Sequence, residues 1–122
     1  MPLVQVDLPR ALFEQKGSEI GLELQAAFVE AAGVPPNDKF QIFRPREAGE
    51  IVFDPTYGGV DRRDLTIIQA LMVHQYPVDQ KRGLYRNIVN RLVKIGLRKE
   101  DILIAIHENG SDDWYGGRLY GE

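Results

Sequence analysis

The sequence predicts an α/β (α+β) fold in which duplicated βαβ units form a four-stranded sheet with two helices on one face. Three observations support this prediction. Short apolar runs with a strand-like pattern alternate with two longer segments of helical periodicity. The order strand, helix, glycine, strand occurs twice along the chain. Right-handed crossovers then place both helices on the same face of one sheet.

The first half begins with a loosely alternating strand and continues into a long amphipathic helix. Its apolar positions run from Phe13 to Ala31 at helical spacing, and Gly33 is suited to end it. A half-buried strand that Pro45 ends comes next. The predicted elements of this half are a strand at 3–8, the helix after Pro9, a strand at 38–44 and a short strand at 49–54.

The second half follows the turn-rich segment 55–64. Residues 65–73 are almost continuously apolar, which is typical of a central strand covered on both faces. A second helix begins near Val78 and is closed by Gly96, and a last strand covers 101–107.

The two halves also align with each other residue by residue. The segments "AAGVPPNDKFQIF" and "VKIGLRKEDILIAI" match Gly33 with Gly96 and Asp38 with Asp101. We therefore expect one domain over residues 1–122, with pseudo-repeats at about 2–54 and 60–122. The sheet face without helices requires a cover, and a second subunit is the expected one.

Composition excludes several classes of function. The chain contains no cysteine, so disulfides, thiolate metal sites and cysteine nucleophiles are excluded. The net charge of −3 argues against a general binder of nucleic acid. Two histidines without convergent acidic spacing favour no metal site, and no cofactor motif is present. We expect a cytoplasmic protein with no membrane partner and no cofactor.

Pro2 is the residue with the most unusual chemical potential. If Met1 is removed, the ring nitrogen of Pro2 becomes a basic secondary amine instead of an amide. An apolar pocket would keep this amine partly neutral near working pH, where it can accept and donate protons. Alternatively, Pro2 only begins an edge strand, where its missing N–H does no harm.

Four pieces of the sequence together resemble the tautomerase superfamily, and within it malonate semialdehyde decarboxylase and its relatives. They are Pro2, "GVPPNDKFQ" (33–41), "DQK" (79–81) and "ENGSDDWYGGR" (108–118), in order over nearly the whole chain. The resemblance implies a tautomerase-like fold, a cofactor-independent enzyme with a catalytic amino-terminal proline, and a homotrimer.

The resemblance also implies roles for individual residues. Asp38 matches an acidic residue that orients water or substrate near the proline, although a carboxylate there also suits a structural turn. Trp114 matches a tryptophan that provides an apolar wall, and an interface aromatic is the alternative.

The sequence departs from the decarboxylase where two arginines would bind the substrate carboxylate. His74 and Tyr76 stand at those positions. Histidine offers a titratable donor and tyrosine a phenol, but neither provides the paired bonds of arginine. Arg118, Arg62 and Arg63 are the other candidate cations.

The predicted function is acid/base chemistry on a small oxo acid, either keto–enol tautomerisation or decarboxylation, with Pro2 and Asp38 as catalytic residues. His74, Tyr76, Trp114 and Arg118 are predicted to bind the substrate. The alternative is a non-catalytic oligomeric protein that binds a small molecule and retains the fold.

Overall fold

The computed structural model describes residues 2–73 and 75–121. Three 3₁₀ turns, at 57–59, 99–101 and 111–113, connect or follow the longer elements of this part of the chain. The helices and strands are β1 (Pro2–Pro9), α1 (Arg10–Ala32), β2 (Phe40–Arg46), β3 (Thr66–Met72), α2 (Val78–Lys94) and β4 (Ile102–Glu108).

The four strands form one mixed sheet in the order β2-β1-β3-β4. Each βαβ unit contributes a parallel pair, β1 with β2 and β3 with β4. The two units meet through the antiparallel pair β1 and β3, in which Gln5 lies opposite Gln69. The predicted architecture of duplicated βαβ units with two helices is confirmed.

The hydrophobic core lies between the sheet and the two helices. Every second residue of β1 and β3 faces the helices, among them Val6 and Ile68, which are fully buried. The helices contribute Leu24 from α1 and Ile88 from α2. Each fully buried aliphatic side chain of this kind stabilises the fold by about 1.5–3 kcal/mol.

The opposite sheet face carries no helix, so β3 is covered on one face only within a single chain, whereas we predicted cover on both. Ile67 and Leu71 of β3 point to this open face and are half-buried. Asp7 also lies there, where it is buried by the guanidinium groups of Arg44 and Arg46. The open face therefore combines apolar side chains with one carboxylate shared by two arginines.

The segment 49–54 and the end of β2 differ from the sequence prediction. The predicted strand at 49–54 is wrong, because this segment forms turns and bends and leaves Val52 89% exposed. The predicted end of β2 at Pro45 is also wrong, because β2 continues to Arg46. An edge strand has neighbours on one side only, so a proline whose missing N–H faces outward does not interrupt it.

Gly33 and Gly83 differ in backbone conformation, and this difference is testable. Gly33 ends α1 with φ of 68°, where a Cβ is strained, whereas Gly83 lies inside α2 with open space around it. We expect Gly33→Ala to lower the free energy of unfolding by about 1 kcal/mol. We expect Gly83→Ala to raise it by about 0.5–1 kcal/mol. Urea unfolding followed by circular dichroism measures both, and equal effects would contradict these assignments.

Candidate functional site

The topology brings the predicted site residues to one end of the sheet. Because β1 and β3 are antiparallel, Pro2 at the start of β1 lies opposite Met72 at the end of β3. Met72 in turn pairs with Glu108 at the end of β4. We call this edge the Pro2 end, and it also holds the segment before β2 and the segment between β3 and α2.

The Pro2 ring is part of the buried layer between sheet and helices. Less than 2% of the residue is exposed, and its partner Met72 belongs to the core cluster. A proline that only began an edge strand would lie at the sheet margin, but β1 is one of the two central strands. Its surroundings are therefore apolar.

Asp38 stands two residues before β2 and so at the Pro2 end. It is half-buried, and its amide donates to the carbonyl of Pro35 at 3.0 Å. Gln25 of α1 donates from Nε2 to the Asp38 carbonyl at 3.1 Å. The backbone at Asp38 is thus fixed by both a local turn and the preceding helix.

Tyr76 is fixed at the Pro2 end by both its main chain and its side chain. Its hydroxyl donates to the carbonyl of Ala32 at 3.3 Å, and its amide donates to Glu108 Oε2 at 2.7 Å. Burial raises the pKa of the Tyr76 phenol above its ordinary value, and the nearby Glu108 carboxylate adds to this effect. Tyr76 is therefore neutral at physiological pH and closes the end of α1.

Glu108 also forms an ion pair with Lys81 of α2. The hydrogen bond from Lys81 is the main cause that holds the pKa of Glu108 below its usual range, and the Tyr76 amide acts in the same direction. One carboxylate thus connects the end of β4 with the first turns of α2 and with the segment that carries Tyr76.

Trp114 reaches the same end through Asn109. The indole Nε1 donates to Asn109 Oδ1, and the Asn109 amide donates to the carbonyl of Met72 at 2.9 Å. Trp114 is half-buried. Two hydrogen bonds therefore separate the tryptophan from the residue that pairs with Pro2.

Arg118 shares a cleft of about 340 Å³ with Trp114, Leu119 and Tyr120 in the carboxyl-terminal segment. Its guanidinium makes no ion pair within residues 2–73 and 75–121. Trp114 is thus the residue that connects Arg118 to the Pro2 end.

His74 lies outside the described residues. The two other candidate cations, Arg62 and Arg63, do not join this group. Arg62 and Arg63 precede β3 at the opposite end of the sheet, where Arg62 Nη1 donates to the carbonyl of Tyr57 and Arg63 pairs with Asp61.

Within the described ranges, no three His, Asp or Glu side chains are grouped so that they could hold a metal ion. Neither described helix is long and apolar enough to cross a bilayer.

The sequence motifs that carry the family resemblance include Glu108, Lys81 and Asn109, but sequence reasoning did not predict these residues as part of the site. The predicted last strand ended at His107, one residue before Glu108. Glu108 continues the alternation of Ile104 and Ile106 on the helix-facing side, so a carboxylate at the end of an apolar stripe was the available signal.

Comparison with known proteins yields consistent matches. The sequence model of the family described as "Tautomerase enzyme" matches residues 38–115. YusQ of Bacillus subtilis (strain 168), named a probable tautomerase, is 34% identical over 93% of this chain and 91% of its own length.

Solved structures match over nearly the whole chain. A crystal structure of FG41 malonate semialdehyde decarboxylase inhibited by 3-bromopropiolate has a TM-score of 0.88 at 26% identity, covering 98% of this chain and 91% of that one. A symmetric trimer of fused 4-OT has a TM-score of 0.78 at 14% identity, covering 93% and 90%. The latter likeness concerns the fold alone.

The Lys81 and Glu108 pair predicts a specific dependence of stability on pH. Folding lowers the pKa of Glu108 below its ordinary value of 4.5, so its contribution is present above that value. The contribution disappears as the pH falls through the lower pKa of the folded state. Glu108→Gln keeps an acceptor for the Tyr76 amide but removes this dependence.

Urea unfolding from neutral pH down to about pH 3 measures the effect. The variant should lose less stability on acidification than the wild type. Glu19→Gln, at an exposed position of α1, is the matched control and should follow the wild-type curve. Parallel curves for wild type and Glu108→Gln would contradict the assignment.

Proposed function

Because the chain belongs to the tautomerase enzyme family, we propose that it moves protons on a small oxo acid with the amine of Pro2. The observation that carries this proposal is the burial of Pro2, of which less than 2% is exposed, among apolar groups at one end of the sheet. The reactive nitrogen arises when Met1 is removed. Removal of Met1 then supplies the amine, and the burial of Pro2 places this amine among apolar groups, so the two together provide the acid/base group.

The surroundings of Pro2 support the protonation state that the chemistry needs. An ordinary α-amine has a pKa of about 8. Apolar burial disfavours the charged form, so it lowers the pKa of the amine towards neutrality. A base with a pKa near the working pH transfers protons efficiently in both directions.

Keto–enol tautomerisation needs only this proton transfer. The neutral amine removes a proton from the carbon next to the carbonyl and leaves an enolate. The charged amine then passes this proton through a water molecule to the enolate oxygen, which becomes the enol hydroxyl, and the amine is neutral again. In the reverse direction the charged amine returns a proton to the carbon. Trp114 supplies the apolar wall, and Asp38 orients the substrate or water. Tyr76 orders the segment after β3, because its hydroxyl is bound to Ala32.

Decarboxylation of a 3-oxo acid is the second candidate, and the likeness to malonate semialdehyde decarboxylase favours it. The bond between the carboxylate carbon and the adjacent carbon breaks, carbon dioxide leaves, and the electron pair remains as an enolate. The protonated amine of Pro2 then donates its proton to that carbon.

Arg118 is the proposed partner of the substrate carboxylate. It shares a cleft with Trp114, and its guanidinium forms no ion pair in the described part of the chain. A guanidinium binds a carboxylate through two parallel hydrogen bonds. Arg118 would thus substitute for the arginines that this sequence replaces by His74 and Tyr76, with His74 as a further donor.

We also propose that the chain assembles as a homotrimer through the open face of its sheet. On that face Leu3 lies opposite Leu71, and Ile67 lies opposite Leu103, so apolar pairs join β1 with β3 and β3 with β4. Exposed apolar groups of this kind favour burial against another subunit. The fused 4-OT structure of the same fold is a trimer.

Replacement of Pro2 tests the proposed reaction. Pro2→Ala keeps a processable amino terminus but replaces the ring amine with a primary amine. We expect kcat/KM to fall on the order of 100-fold or more, because general acid/base catalysis contributes that much. Ultraviolet assays with phenylpyruvate or 2-hydroxymuconate measure turnover, and intact mass shows that Met1 is absent. Unchanged turnover in Pro2→Ala would contradict the proposal.

Two further arms distinguish the roles of residues in the same assay. Arg118→Gln should raise KM more than it lowers kcat, while Arg82→Gln, on the exposed side of α2, should change neither. In the wild type, 3-bromopropiolate should add mass to the peptide that begins with Pro2. Labelling elsewhere, or an unchanged KM in Arg118→Gln, would contradict these roles.

Introducing a charge on the open face tests the assembly. Leu103 is 45% exposed on that face, and Val93 is 43% exposed on α2. Light scattering should give three times the chain mass of 13.8 kDa for the wild type and for Val93→Glu. Leu103→Glu should give a smaller mass, because a buried unpaired charge is costly. A monomeric wild type would overturn the proposal.

A further inference from the structure

A second cleft lies at the end of the sheet opposite Pro2. It has a volume of about 430 Å³, within the range of about 300–1,000 Å³ that is typical of ligand pockets. Pro9 is one of its wall residues. Pro9 lies about 23 Å from Pro2 along β1, so the cleft is far from the Pro2 end. The wall consists of Pro9, Arg10, Ala11, Arg46, Glu47, Ala48, Gly49, Ile51, Phe53, Arg63, Asp64 and Leu65.

The internal repeat makes this cleft the counterpart of the Pro2 end. Aligning Asp38 with Asp101 places Phe40 of β2 on Leu103 of β4. The sheet partners of these residues are Leu3 and Ile67. Thr66 in the second unit therefore occupies the position that Pro2 occupies in the first.

This counterpart includes a cavity but has no amine. Thr66 is fully buried, as Pro2 is, but its nitrogen is an amide within the chain. An amide nitrogen is not basic and cannot transfer protons as an amine does. The cleft can therefore hold a ligand but cannot carry out the chemistry proposed for Pro2.

Three arginines and two carboxylates line this cleft: Arg10, Arg46 and Arg63, with Glu47 and Asp64. Arg46 shares the single charge of Asp7 with Arg44, so that cluster keeps one positive charge in excess. Arg10 pairs with Glu47, and both partners are about half exposed or more. Exposed pairs of this kind contribute little, so their guanidinium groups can turn to a stronger anion at small cost.

Apolar groups form the rest of the wall. Ile51 and Phe53 are half-buried and Leu65 is buried. In the repeat alignment Ile51 takes the place of Trp114, so both clefts have an apolar group at this position. The mixture suits a ligand with one carboxylate and a compact apolar body.

We propose that the cleft at the Pro9 end binds a small organic monocarboxylate without converting it. The carboxylate lies against Arg10 and Arg46, and the apolar body lies against Ile51 and Phe53. This site is separate from the reaction proposed for Pro2, and it does not depend on removal of Met1.

Titration of the ¹⁵N-labelled full chain with phenylacetate tests the proposal by nuclear magnetic resonance. The amides of Gly49, Ile51 and Phe53 should shift and saturate, and the same shifts should occur in Pro2→Ala. Phenylacetamide, which has the same shape without the charge, should bind roughly ten-fold more weakly or not at all. Equal binding of the two probes, or shifts confined to Asn109 and Trp114, would overturn the proposal.

Two exposed arginines of the wall provide the variants. Arg10→Gln and Arg63→Gln each remove one cation and leave Asp7 with both of its partners. Arg10→Gln should weaken phenylacetate binding roughly ten-fold, and Arg63→Gln should weaken it to a smaller extent. Arg82→Gln, at an exposed position of α2, is the matched control and should bind as the wild type does. Unchanged affinity in Arg10→Gln would contradict the site. Because binding is measured without turnover, an inactive Pro2 would leave this result unaffected.

Discussion

The antiparallel pairing of β1 with β3 is the constraint on which the rest of the structure depends. It joins the two βαβ units head to tail, so the start of a strand from one unit lies beside the end of a strand from the other. Pro2 therefore lies beside loops of both units, with Asp38 from the first and Tyr76 from the second. A parallel join would have brought Pro2 beside the start of β3 instead, far from Glu108 and Asn109.

The same pairing explains why hydrogen bonds connect so many segments at the Pro2 end. The carbonyl of Met72 accepts the Asn109 amide, and the carboxylate of Glu108 accepts the Tyr76 amide and pairs with Lys81. Each bond connects a strand end with the segment that follows another strand. Because these groups are partly withdrawn from water, their loss would leave polar atoms without partners, at a cost that a surface bond does not carry.

Much of the fold could be predicted because the hydrophobic pattern is strong where elements are buried on one side. Gly33 and the apolar stripe of α1 predict that helix and its end, and the almost continuous apolar run of β3 predicts a central strand. The strand prediction for 49–54 was wrong because Ile51, Val52 and Phe53 form a short apolar run of residues that favour strands, yet Val52 is exposed and the other two line a cleft. Such a run does not show whether the backbone has a strand partner.

Only part of the candidate site could be predicted from the sequence, because some of its residues come together only through tertiary packing. Pro2 and Asp38 carry a local signal, since one follows Met1 and the other lies between a helix and a strand. The role of Glu108 depends on Lys81, which lies far from it in the sequence and approaches it only through the pairing of β3 with β4 and the packing of α2. Such contacts follow from tertiary packing, and no short stretch of sequence contains them.

Thr66 occupies in the second βαβ unit the position that Pro2 occupies in the first, and this limits what a duplicated unit can do. A polypeptide has one amino terminus however many times a module is copied within it, so a reactive group that exists only at the terminus cannot be inherited by the second copy. If Pro2 acts through its amine as proposed, affinity tags belong at the carboxyl end of the chain, because any residue that stays ahead of Pro2 keeps its nitrogen an amide.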